Sequence, residues 1–106
     1  MPYGWILRSF SEGTQILFWR IIMENRVALV GFVVDKETAV EELNRLLHNY
    51  KDYVIGRMGI PYRQRGVNLI SVVMDAPADA VSALTGKAGM IDGVTAKAVY
   101  SKLPEA

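Results

Sequence analysis

The sequence predicts an α+β sandwich in which one antiparallel sheet carries two helices on one face. Four apolar runs of strand length alternate with two segments of helical periodicity in the order βαββαβ. Units of this kind form a ferredoxin-like sandwich with the sheet order 4-1-3-2 when their crossovers are right-handed. The first and third runs are the most apolar, as expected for central strands, and the second contains Pro61, which an edge strand tolerates.

The first half of the unit comprises a strand, a helix and a second strand. The run at 26–34 (RVALVGFVV) is unbroken after Arg26 and predicts a strand buried on both faces. Asp35 is a candidate N-cap for a helix at 36–50, whose core stripe is centred near Leu43 and Leu46. Residues 53–62 (YVIGRMGIPY) predict the second strand, and RQRG predicts the turn after it.

The second half repeats the pattern in the order strand, helix, strand. Residues 67–74 (VNLISVVM) predict the third strand, again apolar on both sides. Asp75 and Pro77 then open a second helix, because proline is favoured in the first turn. Residues 78–88 continue this helix, Gly89 suits its C-terminal stop, and 93–100 (GVTAKAVY) predict the fourth strand.

Both faces of the predicted sheet are apolar, although two helices can cover only one of them. The central strands offer two apolar sets: Val27, Leu29, Val33, Leu69 and Val73 on one side, and Val30, Phe32, Val34, Ile70, Val72 and Met74 on the other. A solvated face would show polar residues at alternate positions. We therefore expect the second face to be buried in a homodimer, with the N-terminal segment as the alternative cover.

The predicted boundaries are an N-terminal extension at 1–22, the βαββαβ domain at 23–102 and a short tail at 103–106. The extension contains Trp5, Phe10, Phe18 and Trp19, but charged residues interrupt its apolar clusters. It therefore resembles neither a membrane span nor a signal peptide. Two interpretations remain: an extra helix near 14–24 docked on the domain or on a partner, or a mis-assigned start with Met23 as the initiator.

Composition and motifs argue against several functional classes. A formal net charge of +1 is too small to indicate direct nucleic-acid binding. The chain has no cysteine, which excludes disulfides, thiolate nucleophiles and cysteine-ligated metals and fits a reducing cytoplasm. No carboxylate pair stands out for acid–base catalysis, and no serine sits in a nucleophile elbow. We therefore predict a cytoplasmic, non-enzymatic protein with no membrane contact, no cofactor and no metal.

The segment ALTGKAGMIDGVTAK at 83–97 concentrates glycine and lysine and invites comparison with a phosphate-binding loop. That loop has the form G-x-x-x-x-G-K-[ST] between a strand and a helix. Here Ala88 follows Lys87, and the glycines follow a predicted helix, whose partially negative C-terminus disfavours phosphate. The segment therefore predicts a helix end and a tight turn into the fourth strand, and its glycines remain candidates for lining a cleft.

His48 is the single histidine, and it lies about 140° from the core stripe of its helix. It is either an exposed residue near the helix C-terminus or a ligand contact at a subunit interface. The arginines around the second strand and its turn, at 57, 63 and 65, either protect an edge strand or form an anion site. If a ligand site exists, we predict that His48 and Arg57 bind polar or anionic groups. Its predicted lining is Gly59, Tyr62, Gly86, Lys87 and Gly89.

Across residues 26–102 the sequence resembles a small family of iron-only hydrogenase system regulators, which are ACT-like proteins of the ferredoxin fold. The pieces that carry the resemblance are LLHNY, GRMGIPYR and LTGKAGMIDGVTAK. The resemblance implies a regulatory protein of this fold that is linked to a hydrogenase system.

A more distant resemblance is to the C-terminal effector domain of the nickel-responsive repressor, a tetramer that holds nickel between subunits. Its helix histidine falls at His48, its two strand histidines fall at Gly59 and Pro61, and its cysteine falls near Val67. Because three of the four ligands are missing, the sequence argues against square-planar nickel. Residues 1–22 are also too short and too poorly patterned to supply the repressor's DNA-binding domain.

These observations together predict a regulatory domain that assembles as a homodimer or a dimer of dimers. It would sense a small-molecule effector at a subunit interface and pass that state to a protein partner, which requires different ligand affinities in two states. Three alternatives remain open at this point. They are an oligomerisation module without a ligand, a DNA-associated transcriptional regulator, and a small enzyme with its site in a subunit cleft.

Overall fold

The structure is a computed structural model that describes residues 24–102. Its elements are β1 (Asn25–Val34), α1 (Glu37–His48), β2 (Val54–Tyr62), β3 (Val67–Pro77), α2 (Ala78–Gly89) and β4 (Val94–Tyr100). Short 3₁₀ turns, Lys51–Tyr53 and Arg63–Arg65, flank β2. The predicted extension at 1–22 and the tail at 103–106 lie outside the described residues.

The four strands form one antiparallel sheet in the order β2-β3-β1-β4. This is the predicted 4-1-3-2 order read from the other edge, so the ferredoxin-like prediction is confirmed. Strand β1 pairs along its whole length with β3, from Asn25 opposite Pro77 to Val34 opposite Asn68. Its other edge pairs with β4, which leaves β2 and β4 as the outer strands.

The core lies between one face of the sheet and the two helices. Its strand residues alternate along the sequence and are Ala28, Val30, Phe32, Val34, Ile70, Val72, Met74, Ala76 and Val94. Helix α1 buries Ala39, Leu43 and Leu47, and α2 buries a stripe that includes Val81 and Leu84. Leu43 lies in the middle of the buried stripe of α1, whereas Leu46 is partly buried and packs against the core.

Two predicted helix starts differ from the structure. The residue that caps α1 is Lys36, without a side-chain hydrogen bond, whereas the backbone N–H of Asp35 donates to the Gly93 carbonyl at 2.8 Å. The second helix begins after Pro77, because strand β3 continues through 75 and 76 to pair with β1. Burial of Ala76 in the core favours this longer strand over an earlier helix.

The turn before β4 depends on Gly93, as the prediction for residues 83–97 requires. Helix α2 ends at Gly89, and the left-handed residue comes later, at Gly93, with a φ of +93°. A β-carbon on Gly93 would lie 2.8 Å from Lys36 Cγ and 2.9 Å from Lys36 Cβ. The Lys36 ammonium is paired with Asp92, and this hydrogen bond together with the negative charge raises the pKa of Lys36. The glycine-rich segment connects α2 to β4 along the chain, and its contacts with Asp35 and Lys36 hold the start of α1 beside it.

Candidate functional site

A cleft lies between the last turns of α1 and the outer strand β2. Asn44 and His48 are four residues apart on α1, so their side chains project from the same side of the helix. On β2, Arg57 is the cross-strand partner of Val72, which is fully buried, so Arg57 lies on the helix-covered side of the sheet. Its Nη2 donates a hydrogen bond to Asn44 Oδ1 at 2.9 Å. A strand and a helix therefore fix the two sides of the cleft.

The cleft has a polar rim and an apolar floor, with a volume of about 260 Å³. Its lining residues are Asn44, Leu47, His48, Lys51, Val54, Arg57 and Val72. Three of these can carry positive charge, and none of the described residues that line the cleft is acidic. The arrangement suits a small ligand that accepts hydrogen bonds.

A β-bulge at Ile55 brings two of these lining residues to the same side of β2. Val54 pairs with Met74, and the next paired residue, Gly56, lies opposite Val73, so Ile55 is the extra residue. Regular alternation would place positions 54 and 57 on opposite faces. With the bulge, both contribute to the cleft.

The predicted site residues on β2 divide between the two faces of the sheet. His48 and Arg57 share the cleft, and Gly59 lines an adjoining depression that also includes Asn44 and Arg57. Tyr62 pairs with Val67 and lies on the opposite face. The structure thus places His48, Arg57 and Gly59 near one another and separates Tyr62 from them.

The three predicted residues on α2 stand apart from this cleft. The Lys87 ammonium lies over the ring of Tyr50, 5.8 Å from its centroid. Gly86 and Gly89 are exposed, and a β-carbon on either one would meet nothing within 4 Å. Among the described residues, the cleft lining contains neither glycine and does not contain Lys87.

Sequence reasoning missed Asn44 and Lys51 as neighbours of the predicted pair. Asn44 lies one helical turn before His48, and this spacing was a usable signal. Lys51 is placed by the 3₁₀ turn that connects α1 to β2.

The other face of the sheet is apolar and uncovered within residues 24–102. Its central residues Val27, Leu29 and Val33 are 47%, 47% and 43% exposed. Further exposed apolar side chains on this face are Met58, Ile60, Leu69 and Val99. A trough of about 370 Å³ runs over Gly31 and is bordered by residues of all four strands. The described part of the chain therefore leaves the predicted second apolar face in contact with water.

Two kinds of site are not found in the described part of the chain. Between 24 and 102, no three His, Asp or Glu side chains cluster where they could hold a metal ion. Over the same residues, no helix is long and apolar enough to cross a membrane.

A comparison with known protein families finds a match over most of this chain. Residues 26–98 match the TM1266-like family model, which is described as "Iron-only hydrogenase system regulator, putative". The chain belongs to this family. A solved structure, "uncharacterized protein TM1266 from Thermotoga maritima", is 38% identical with a TM-score of 0.72, and the match covers 74% of this chain and 100% of that one. A search of curated proteins gives no match.

The part of the chain that matches the TM1266-like family contains both the cleft and most of the exposed apolar sheet face. Residues 26–98 include the whole cleft lining and all of the exposed apolar sheet face except Val99. The predicted resemblance to hydrogenase system regulators is thereby confirmed at the level of the family. At 38% identity over the full length of the solved relative, the two proteins share the same fold.

Proposed function

We propose that this chain is a non-enzymatic regulator of an iron-only hydrogenase system, working as a homodimer or dimer of dimers that responds to a small ligand. The family description supports the regulatory role. The exposed apolar face of the sheet supports the proposed oligomer, because Leu29 and Val33 on this face are 47% and 43% exposed. The ligand is assigned to the cleft of His48 and Arg57, and the resulting state passes to a protein partner.

Sheet-to-sheet packing of two copies would remove the exposed apolar face from water. Complete burial of a leucine contributes roughly 1.5–3 kcal/mol, so the exposed half of Leu29 corresponds to about 1 kcal/mol in each subunit. A two-fold contact uses the same patch on both copies, so every such residue counts twice. Leu69 and Met58 extend the patch across the neighbouring strands. A self-complementary contact through this face is the assembly that we propose.

Strand β2 connects the cleft with the proposed subunit contact. Successive residues of a strand point to opposite faces, so Arg57 faces the cleft while Gly56 and Met58 face the open side. A ligand that draws Arg57 toward His48 would also move Met58 within the contact. Such coupling regulates only if the ligand binds two states of the assembly with different affinities.

Native mass spectrometry of the full chain, purified gently from its own host, tests the proposal. We expect a dimer or tetramer that carries a stoichiometric additional mass. A monomer at all concentrations would contradict the role of the sheet face. An empty oligomer would favour an interaction module without a ligand.

A matched pair of charge substitutions tests which face forms the contact. Leu29→Glu places a carboxylate on the open face of both copies, and we expect it to weaken the dimer by roughly 30-fold or more, since about 2 kcal/mol of apolar burial is lost per dimer. Ala83→Glu adds the same charge on the exposed side of α2 and should leave the dimer intact. Equal effects of the two substitutions would place the contact elsewhere.

The hydrogenase link is tested in the host. Deletion of the gene should change the amount or activity of the iron-only hydrogenase, and the wild-type chain should restore it. Leu29→Glu should fail to restore it, whereas Ala83→Glu should succeed. Retention of the purified protein on DNA with a steep salt dependence would instead favour the DNA-associated alternative.

A further inference from the structure

We infer that the ligand of the His48–Arg57 cleft is a small organic anion held through a carboxylate or phosphate group. This inference rests on the ligand-responsive part of the proposed function, and it names the chemistry of that ligand.

The hydrogen-bonding groups at the rim of the cleft are predominantly donors. Asn44 Oδ1 accepts the hydrogen bond from Arg57, so the amide NH₂ of Asn44 remains as a donor. The Lys51 ammonium and the Arg57 guanidinium can only donate. A neutral ligand with its own donors would find few acceptors here, whereas a carboxylate or phosphate offers several acceptor oxygens.

Asn44 also holds the Arg57 guanidinium in place before a ligand binds. The 2.9 Å hydrogen bond uses one Nη2 donor and leaves the remaining N–H groups of the planar fork available. A guanidinium group in a fixed orientation can donate two parallel hydrogen bonds to two oxygens of one anionic group. Because the partner is a neutral amide rather than a carboxylate, the positive charge of Arg57 is not cancelled.

Charge in the cleft is concentrated relative to the chain as a whole. The complete chain has a formal net charge of +1, with 12 Lys and Arg against 11 Asp and Glu. Arg57 and Lys51 nevertheless share one lining with His48, and none of the described lining residues is acidic. Opposite charge therefore favours an anion at this place, and the three groups outweigh the partial negative charge of the α1 C-terminus at His48 and the small net charge of the protein.

The floor of the cleft sets the size and character of the rest of the ligand. The partly exposed Val54 supplies the accessible apolar surface beneath the charged rim, with the buried Leu47 and Val72 behind it, in a volume of about 260 Å³. This is smaller than the roughly 300–1,000 Å³ typical of sites for drug-sized ligands. A short apolar chain that ends in an acidic group fits both features.

Binding is measured on the full chain by isothermal titration and by amide chemical shifts. The probes are inorganic phosphate, acetate, butyrate and butyramide, which is the neutral counterpart of butyrate. We expect phosphate or the carboxylates to shift the amide signals of α1 and β2, and butyrate to bind more tightly than acetate. A response to phosphate alone identifies a phosphate ligand, and a response to the carboxylates alone identifies a carboxylate. Butyramide binding as tightly as butyrate would overturn the inference.

Two substitutions locate the binding site. Arg57→Met should weaken binding roughly tenfold to a hundredfold, because a charged hydrogen-bonding group is lost. Arg63→Met is the matched control: it removes an exposed arginine just beyond β2 that does not line the cleft, and it should leave the affinity unchanged. If the two variants lose the same amount of anion affinity, the effect is one of overall charge, and the assignment of the binding site to this cleft is wrong.

Asn44→Asp provides a second, independent test. The variant keeps an acceptor for Arg57 but adds negative charge and removes the amide donor, so anion binding should be lost while the fold is retained. Unchanged affinity in this variant would overturn the inference. Failure of every anion to bind, with a different retained mass found in the oligomer, would overturn this inference alone. Anion binding by a permanent monomer would overturn the proposed assembly but not the site.

Discussion

Replacing Gly93 by alanine is the sharpest test of how the two halves of the domain are joined. Gly93 has a φ of +93°, and a residue with a side chain in such a conformation costs roughly 1–3 kcal/mol. The new β-carbon would also lie 2.8 and 2.9 Å from Lys36 Cγ and Cβ, close to the chain where little relaxation is possible. We therefore expect a total destabilisation of about 3 kcal/mol, of which the close approach supplies about half.

Gly66 is the matched control for Gly93→Ala. It also has a positive φ, +66°, but a β-carbon at this position would meet nothing within 4 Å. Gly66→Ala should therefore cost only about 1 kcal/mol, from the backbone conformation alone. Thermal unfolding measures the difference, since a domain of this size loses roughly 4–8 °C of Tm per kcal/mol. If the two variants have the same stability, the close approach to Lys36 does not matter and the reasoning is wrong.

A double-mutant cycle separates the two contributions at Gly93. Lys36→Gly removes the two atoms nearest to the new β-carbon and leaves Asp35 Oδ1, which would lie 3.0 Å from it. In the Gly93→Ala background it should recover about 1–2 kcal/mol relative to its effect in the wild type, while the backbone contribution remains. Additive effects of the two substitutions would contradict a direct clash.

Three further predictions concern α2, the turn before β4 and the β-bulge. Gly86→Ala should stabilise the protein by about 0.5–1 kcal/mol in chemical denaturation, since it lies within a helix with open space around it, and anion binding should be unchanged. The hydrogen bond with Asp92 and its negative charge raise the pKa of Lys36 above its ordinary 10.5. The stability from this exposed pair should therefore be fully present below pH 10.5 and lost as the pH rises through the raised pKa, which Asp92→Asn measured at neutral and alkaline pH will check. Deletion of Ile55 should restore regular pairing and keep Arg57 on its face, but reduce anion affinity, because the bend that the bulge gives to β2 beside the cleft is lost; titration with phosphate and butyrate measures this.

The strand order was predictable because the sequence distinguishes central from outer strands. Apolar residues on both sides of 26–34 and 67–74 required central positions, and Pro61 favoured an edge. Periodicity alone does not show how segments compete for partners. Asp35 would suit a helix cap, but the helix starts one residue later, with Lys36 at the cap, and the Asp35 N–H donates to the Gly93 carbonyl from a distant part of the chain. Asp75 likewise stays in β3 because β1 supplies a partner there.

The candidate site was predictable only in part, for a related reason. His48 was placed on the exposed side of α1 by helical geometry, and the structure leaves it exposed. The side of the sheet on which Arg57 lies depends on its register with β3, and a one-residue change in register would reverse it. The pairing with Val72 and the extra residue at Ile55 are long-range facts that no local pattern contains.

The bulge at Ile55 also divides β2 into two parts that have different surroundings. On its C-terminal side, residues 56–62 are held by the pairing with β3 and carry the apolar sheet face. On its N-terminal side, the 3₁₀ turn Lys51–Tyr53 and Val54 form one rim of the cleft. A gain or loss of one residue at the bulge reshapes that rim while the register of the sheet stays fixed. The shape of the cleft rim and the pairing of the apolar face can therefore change independently of each other.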